Sequence, residues 1–241
     1  MERLKAVVLD RLILYYQYLV DLMARRPVAT ITSAQIGSAL GVDPSQVRKE
    51  FAAVGLMGLS RVGYEVCEVC RAIRTTLGFD HIYTGVVVGT GKLGGAILAY
   101  PDFARYGLSI VAAFDNDPSK VGRYIAGHRI RHVTELSEYV RLHRTPLAIL
   151  TTPTAVADEL ARVLVSAGIG ALWNFTPAQL TVPEGVLLRN ERFSSSLAVI
   201  AYHLNQPQWR RKPAEGTLPF SPPSRCATAG SGKKHGGSPT P

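Results

Sequence analysis

Three glycines near the middle of the chain have the spacing that binds the pyrophosphate of a dinucleotide. Gly89, Gly91 and Gly94 follow the apolar run 82–88, which predicts a buried strand, and they open a helical pattern. In such a unit the first glycine permits the tight turn, the second lets phosphates approach the backbone, and the third lets the helix pack on the strand. The predicted dinucleotide contacts in this loop are Gly89, Thr90, Gly91, Lys92, Leu93 and Gly94.

An acidic residue further along the chain supports this interpretation. Asp115 lies 26 residues after Gly89 and ends a second apolar run, LSIVAAFD. A carboxylate there accepts hydrogen bonds from the adenosine ribose hydroxyls and repels a 2′-phosphate, which favours NAD(H) over NADP(H). A Walker A loop is excluded because Leu93 occupies the position of the magnesium-binding Ser or Thr. The alternative is an ordinary strand–helix turn that binds no ligand.

A second group of residues has the chemistry for contacting nucleic acid. Arg48 and Lys49 lie in the first half of a short predicted helix, 44–54, and Gln46 precedes them. On a recognition helix, such side chains contact base edges and phosphates. Two charges alone would indicate only a solvated helix face, but the pattern around them favours DNA binding.

That pattern is a helix-turn-helix followed by a wing. Thr32 or Ser33 caps a first short helix that ends at Gly41, and Asp43, followed by a proline, begins the second helix. The glycine-bounded segment GLSRVGYEV then predicts a short hairpin. The predicted DNA contacts are Ser33, Gln46, Arg48, Lys49 and Arg61.

The sequence contains no evident catalytic or metal-binding constellation. Cys67 and Cys70 form a CxxC pair, but they lie on a predicted helix beside core candidates and lack the second pair that zinc would need. The six histidines show no ligand spacing, and no nucleophile–base pattern is present. We therefore expect neither a bound metal ion nor an enzyme.

The elements that position these residues fall into zones. Residues 1–80 have the pattern of helices with short turns, and residues 81–206 alternate strands with helices, as in a doubly wound parallel sheet. Residues 207–241 are rich in Pro, Gly, Ser and Lys and are expected to form a disordered basic tail. The net charge is +9, and more than half of it falls in that tail, so the basic total does not by itself indicate a polyanionic partner.

Composition narrows the class of protein. Hydrophobic residues make up 46%, enough for a packed core. No stretch approaches the roughly 20 apolar residues of a membrane span. Three cysteines exclude a disulfide scaffold and fit a reducing compartment. The expectation is a cytoplasmic protein that makes no membrane contact.

From about residue 11 to residue 204 the chain resembles Rex, the family of NADH-sensing redox repressors of Gram-positive and related bacteria. The resemblance lies in the segments RLILYYQYL, LGVDPSQVRKEF, VVVGTGKLGGAIL, IVAAFDNDPSKVGR, AGIGALWNFTP and LAVIAYHL. It implies an α/β chain with a winged-helix DNA-binding domain (1–80), a Rossmann NAD(H)-binding domain (81–192) and a C-terminal dimerisation helix (193–206). In the family this helix is exchanged between the subunits of a homodimer. The implied function is repression at double-stranded operator DNA, relieved by NADH.

The resemblance also assigns two further cofactor residues and shows where this chain departs from the family. Tyr100 and Phe193 match a tyrosine near the cofactor and an apolar residue that faces the nicotinamide. Gln17 and Arg192 stand where the family has a paired arginine and aspartate, and the wing arginine is displaced by one position to Arg61. These departures concern the operator sequence and the allosteric switch rather than the fold.

Two other functions remain open from the sequence. An NAD-dependent oxidoreductase would explain the glycines but needs a substrate domain, for which only residues 207–241 remain. A regulatory module that binds coenzyme A or another nucleotide would keep the Rossmann unit but leaves Arg48 and Lys49 without a role. Turnover of NADH with 2-keto acids would favour the enzyme, and NADH-sensitive retention of DNA would favour the repressor.

Overall fold

The computed structural model describes residues 4–206. These residues belong to two compact units, one that ends at Arg192 and one that begins at Phe193. Within residues 4–206, no helix combines the length and the apolar character needed to cross a membrane.

The N-terminal part of the first unit is helical with a two-stranded antiparallel sheet. Its elements in chain order are α1 (Ala6–Arg25), β1 (Thr30–Ile31), α2 (Ser33–Leu40), α3 (Pro44–Ala53), β2 (Tyr64–Glu65) and α4 (Val66–Leu77). Strand β1 pairs with β2. The apolar faces of α1, α3 and α4 share one core, to which they contribute Leu12, Tyr15, Val47, Phe51 and Ile73.

The caps of α2 and α3 explain why the predicted helix-turn-helix forms. Thr32 Oγ1 accepts a hydrogen bond from the Gln35 N–H, and the Gln35 side chain accepts one from the Thr32 N–H. Gly41 ends α2 with a φ of 68°, a left-handed conformation that favours glycine. The Asp43 carboxylate accepts from the Ser45 N–H and so caps α3.

A seven-stranded sheet occupies the rest of the first unit. Its strands are β3 (Tyr83–Val88), β4 (Leu108–Asp115), β5 (Tyr124–Ile125), β6 (His128–His132), β7 (Leu147–Leu150), β8 (Ala171–Asn174) and β9 (Leu187–Asn190). Their spatial order is β5-β6-β4-β3-β7-β8-β9, and every neighbouring pair is parallel except β5 with β6. The connections include the helices α5 (Lys92–Leu98), α6 (Leu136–His143) and α7 (Thr154–Ser166) and short 3₁₀ helices at Pro101–Tyr106 and Val133–Glu135.

Helices cover both faces of this sheet. Successive residues of β3 point to opposite faces, so Val86 and Val88 join a core with α6 and α7. Val87 joins a different core that contains Ile97 of α5. The predicted α/β class with a doubly wound, mostly parallel sheet is confirmed.

Sequence patterns located most strands but not all. The strands predicted at 82–88, 147–151, 171–174 and 186–189 are present within one residue at each end. The patterns missed β5, β6 and α6. Strand β6 reads HRIRH, and only its Ile130 is buried, so its polar side chains conceal the strand from a search for apolar runs.

The second unit contains helix α8 (Phe193–Leu204) within the described residues. None of its side chains is buried, and its exposed apolar residues include Phe193, Leu197, Ile200 and Leu204. The exchange of this helix between subunits stays a prediction. The predicted tail, 207–241, lies outside the described residues.

Candidate nucleotide-binding and DNA-binding sites

Two of the three loop glycines are required by the fold itself. Gly89 has a φ of 94°, and a Cβ there would lie 2.9 Å from the Thr151 backbone. A Cβ on Gly94 would lie 2.0 Å from the Gly89 carbonyl oxygen, so only glycine lets α5 pack this closely against the loop. The turn and packing roles predicted for these two positions agree with this geometry.

Gly91 differs from its neighbours because nothing in the fold requires it to be glycine. Its φ is −68°, which any residue adopts, and a Cβ built there meets no atom within 4 Å. The free space lies beside a cavity of about 510 Å³ that is lined by Gly89, Gly91, Asp115 and Thr152 among others. A glycine that leaves open space at a nucleotide loop fits the close approach of a phosphate to the backbone.

The cavity also suits the other parts of a dinucleotide. Phe114, Val133, Val156 and Leu160 give it apolar walls on which an adenine ring could pack. Lys92 and Leu93 begin α5, and the first N–H groups of a helix have no partner within it, which suits an anion. The residues present therefore fit NAD(H), and the individual contacts of Thr90, Lys92 and Leu93 stay predictions.

Asp115 anchors the glycine loop, a role that its sequence position did not reveal. Its Oδ2 accepts hydrogen bonds from the Thr90 N–H (2.8 Å), the Thr90 hydroxyl (2.7 Å) and the Lys120 ammonium (3.0 Å), and its Oδ1 accepts from the Asp117 N–H (3.0 Å). Burial raises the pKa of this carboxyl, but these donors together hold it well below its usual range. Asp115 lines the cavity, and its contact with the ribose stays a prediction.

The segment after β7 contributes cavity residues that sequence reasoning missed. Thr151, Thr152 and Pro153 line the cavity next to the glycine loop. The Thr152 Oγ1 is buried and has no hydrogen-bond partner within residues 4–206, which suits a polar atom of a ligand. Since β7 lies beside β3 and ligands bind at the carboxyl ends of such strands, the topology could have located these residues, but the motif alone could not.

Of the two cofactor residues taken from the family resemblance, Tyr100 lies away from the loop cavity. Tyr100 lines a separate, largely apolar cavity of about 740 Å³, together with Ile13 and Gln17 of α1 and the aromatic residues Phe103 and Trp173. Phe193 begins α8, in the second unit. Nicotinamide contacts of both residues stay predictions.

The predicted DNA-contacting residues cluster around the recognition helix α3. Arg48 and Lys49 are both exposed. The Arg48 Nη1 donates to the Ser33 Oγ at 3.1 Å, so Ser33 orients the guanidinium from the start of α2. Gln46 donates its amide N–H to the Glu50 carboxylate at 2.8 Å, which draws it towards the protein. Direct base contact by Gln46 stays a prediction.

The segment predicted as a short hairpin, the wing, contains a tight turn. Leu59 and Gly63 form a single antiparallel bridge, and Arg61 between them has a φ of 62°, a conformation that is costly for a residue with a Cβ. Arg61 and Arg48 line the same shallow groove between α3 and the wing. The structure therefore gathers Ser33, Arg48 and Arg61 on one surface, and their contacts with DNA stay predictions.

Two family models match the chain. Residues 6–51 match a model described as "Putative DNA-binding protein N-terminus", and residues 80–178 match the model "CoA binding domain". The first spans α1 to α3, and the second spans the glycine loop and the strands from β3 to β8. Within residues 4–206, no group of three or more His, Cys, Asp or Glu side chains could hold a metal ion.

Curated relatives are similar over nearly all of their own length. The chain is 36% identical to the redox-sensing transcriptional repressor Rex of Desulforamulus reducens, over 81% of this chain and 93% of the relative. It is 37% identical to Rex of Desulfitobacterium hafniense, over 80% of this chain and 92% of the relative.

Solved structures agree with these relatives. RSP in complex with β-NAD⁺ and operator DNA is similar with a TM-score of 0.80 and 32% identity, over 85% of this chain and 94% of RSP. RSP in complex with β-NADH is similar with a TM-score of 0.77 and 32% identity, over 85% of this chain and 96% of RSP. Identity above 30% over four fifths of the chain shows the family: this chain belongs to the Rex redox-sensing transcriptional repressors.

Proposed function

We propose that the protein represses transcription by binding operator DNA and that NADH releases it. The observation that carries the proposal is that one unit of the chain holds both an exposed recognition-helix face at Arg48 and Lys49 and a nucleotide loop with open space at Gly91. The relatives support it, since RSP has been crystallised with operator DNA, with NAD⁺ and with NADH.

The chain's own groups hold the dinucleotide in this proposal. The loop backbone around Gly91 binds the pyrophosphate, and the apolar wall that includes Val133 and Leu160 holds the adenine. Asp115 keeps the loop in shape through Thr90 and lies where the adenosine ribose would bind. Because a carboxylate repels a 2′-phosphate, we expect a preference for NADH over NADPH.

The DNA-bound form is proposed to be a homodimer. Helix α8 exposes a row of apolar side chains, and the cavity lined by Ile13, Phe103 and Trp173 exposes an apolar lining. Exchange of α8 between two copies would cover such surfaces. A symmetric dimer presents two copies of α3 to two half-sites of a palindromic operator.

NADH lowers the affinity of this dimer for DNA if NADH binds better to a dimer in which the two α3 helices no longer match the half-sites. Since operator DNA lies in the cytoplasm of a bacterial cell, we propose that compartment as the site of action.

One observation favours a second ligand. The match of residues 80–178 to the CoA binding domain model indicates coenzyme A, which shares the adenosine and pyrophosphate of NAD(H). Coenzyme A would use the same loop but would carry no redox signal. It is therefore tested beside NADH.

The experiment is a pair of assays on the full chain. DNA fragments retained by the immobilised protein are eluted with NADH, NAD⁺ or coenzyme A, and NADH consumption is followed with a panel of 2-keto acids. Selective elution by NADH, without turnover, is the expected result. Elution by coenzyme A alone would support the second ligand, and NADH turnover would support an oxidoreductase.

A further inference from the structure

The recognition helix carries a buried carboxylate that ties it to α1. Glu50 lies on α3, two residues after Arg48, and is only 2% exposed. Its Oε1 accepts hydrogen bonds from the Arg11 Nε at 2.6 Å and from the Gln46 Nε2 at 2.8 Å, and its Oε2 accepts one from the Tyr15 hydroxyl at 2.6 Å. Arg11 and Tyr15 both belong to α1, so most of this network joins the two helices.

The carboxylate of this network is charged and accepts hydrogen bonds at both of its oxygens. Burial raises the pKa of Glu50, but the hydrogen bonds from Arg11, Tyr15 and Gln46 outweigh it and hold the pKa below its usual range. Burial and the neighbouring carboxylate raise the pKa of Tyr15 far above its usual range, so the phenol stays a donor. Because the Glu50 side of this ion pair is buried, the pair favours one geometry: displacement of α1 against α3 would leave a buried charge without its partners.

The other side of α1 faces the nucleotide-binding part of the same unit. Ile13 and Gln17 line the large apolar cavity together with Tyr100. The Gln17 Nε2 donates to the Tyr106 hydroxyl at 3.3 Å. Tyr106 ends the 3₁₀ helix Pro101–Tyr106, which follows α5 and therefore the glycine loop. The chain thus runs from the glycine loop through α5 to Tyr106, Tyr106 contacts α1, and α1 contacts α3 through Glu50.

We propose that Glu50 is a positioning residue that transmits displacement of α1 to the recognition helix. The proposal rests on the function proposed above and assigns its regulation to a specific contact. Helix α1 is one continuous helix of 20 residues that carries Gln17 as well as Arg11 and Tyr15, so a shift of the helix at Gln17 also moves Arg11 and Tyr15. Glu50 converts that shift into a rotation of α3, which moves Arg48 and Lys49 relative to the DNA.

The test uses Glu50→Gln in the full chain, with Glu68→Gln as a matched control. Glu68 is an exposed glutamate on α4 in the same helical part. Operator affinity is measured with and without saturating NADH, and NADH affinity is measured separately. For the wild type we expect the operator Kd to rise about 5- to 150-fold with NADH, the usual range for allosteric coupling. For Glu50→Gln we expect that ratio to fall to about one third of the wild-type value or less, with NADH affinity unchanged, whereas Glu68→Gln keeps the wild-type ratio.

A second readout separates transmission from simple stabilisation. Amide hydrogen exchange in α3 is compared with and without NADH, in the absence of DNA. In the wild type NADH should change this exchange, and in Glu50→Gln it should not. If Glu50→Gln weakens DNA binding equally with and without NADH, and the NADH-induced change in exchange persists, Glu50 is merely structural and the proposal is overturned.

Failure of the underlying function gives a different result. If NADH binds the wild type yet leaves its operator affinity unchanged, the proposed function fails and this inference fails with it, whatever the variants do. If Glu50→Gln does not fold, Tyr15→Phe takes its place, since it keeps the ion pair and removes one hydrogen bond. It should lower the NADH ratio by a smaller factor than expected for Glu50→Gln, and an unchanged ratio would overturn the proposal.

Discussion

Replacing Gly91 with valine separates ligand binding from folding. A Cβ at Gly91 meets no atom within 4 Å, and its φ of −68° is open to every residue. The fold therefore has room for a side chain to begin at this position. Because a non-glycine residue restricts the unfolded chain, stability should rise by about 0.4–1 kcal/mol or stay the same.

The loss of ligand affinity should be much larger than this change in stability. The valine side chain fills the space through which a pyrophosphate would reach the loop N–H groups. Hydrogen bonds to a charged group contribute about 1.5–3 kcal/mol each. Losing two of them costs about 3 kcal/mol or more, which is a weakening of NADH binding by at least about 100-fold.

The assay pairs calorimetric titration of NADH with thermal unfolding, and two neighbouring glycines provide controls. At Gly95 a Cβ would lie an ordinary 3.8 Å from Ile125, so Gly95→Ala should keep NADH affinity. At Gly94 a Cβ would lie 2.0 Å from the Gly89 oxygen, so Gly94→Ala should lower the stability of the fold by about 1–3 kcal/mol. Wild-type NADH affinity in a folded Gly91→Val protein would refute this placement of the pyrophosphate.

Three further predictions concern the DNA surface, the loop anchor and the switch. Arg48→Ala should weaken operator binding by about 1–3 kcal/mol and leave NADH affinity unchanged, as measured by fluorescence anisotropy, and unchanged operator affinity would remove Arg48 from the interface. Asp115→Asn should lower the free energy of unfolding by about 1–3 kcal/mol, because the donors of Thr90 and Lys120 then meet a neutral amide instead of a carboxylate. The pKa of Asp115 is lower in the folded chain than in the unfolded chain. The difference in free energy of unfolding between wild type and Asp115→Asn should therefore be constant from pH 7 to about pH 5 and shrink below about pH 4. Denaturant unfolding curves recorded at a series of pH values measure this difference. Gln17→Arg combined with Arg192→Asp should enlarge the NADH-induced drop in operator affinity while neither single change does, and a smaller drop in the double variant would show that this chain uses a different switch.

Sequence patterns predicted those parts of the fold that local chemistry determines. The helix-turn-helix could be predicted because Thr32, Gly41 and Asp43 are strong cap residues at the right spacing. The glycine loop could be predicted because two of its glycines are needed for the backbone and for packing. Short polar elements such as β6 could not, because a strand with one buried residue carries no apolar pattern.

Long-range contacts explain what the sequence concealed at the site. Glu50 occupies an inward position beside Phe51 on α3, where a charged residue is expected only if something distant pairs with it, and its partner Arg11 is 39 residues away. Asp115 was predicted to bind ribose, but Thr90 and Lys120 already satisfy much of its carboxylate. Asp115 was recognised as a site residue from its position and Glu50 was not, and only the folded structure showed the partners of either.

A single titration shows whether NADH binding lowers the affinity of this chain for its operator. The full chain is equilibrated with a labelled palindromic fragment chosen for tight retention, at fixed salt concentration, and NADH is added while fluorescence anisotropy reports the bound DNA. We expect the operator Kd to rise at least about fivefold as NADH saturates the protein, and NAD⁺ added beforehand to shift the response to higher NADH concentrations. An operator Kd that stays constant while calorimetry shows NADH bound would mean that NADH does not control DNA binding by this protein.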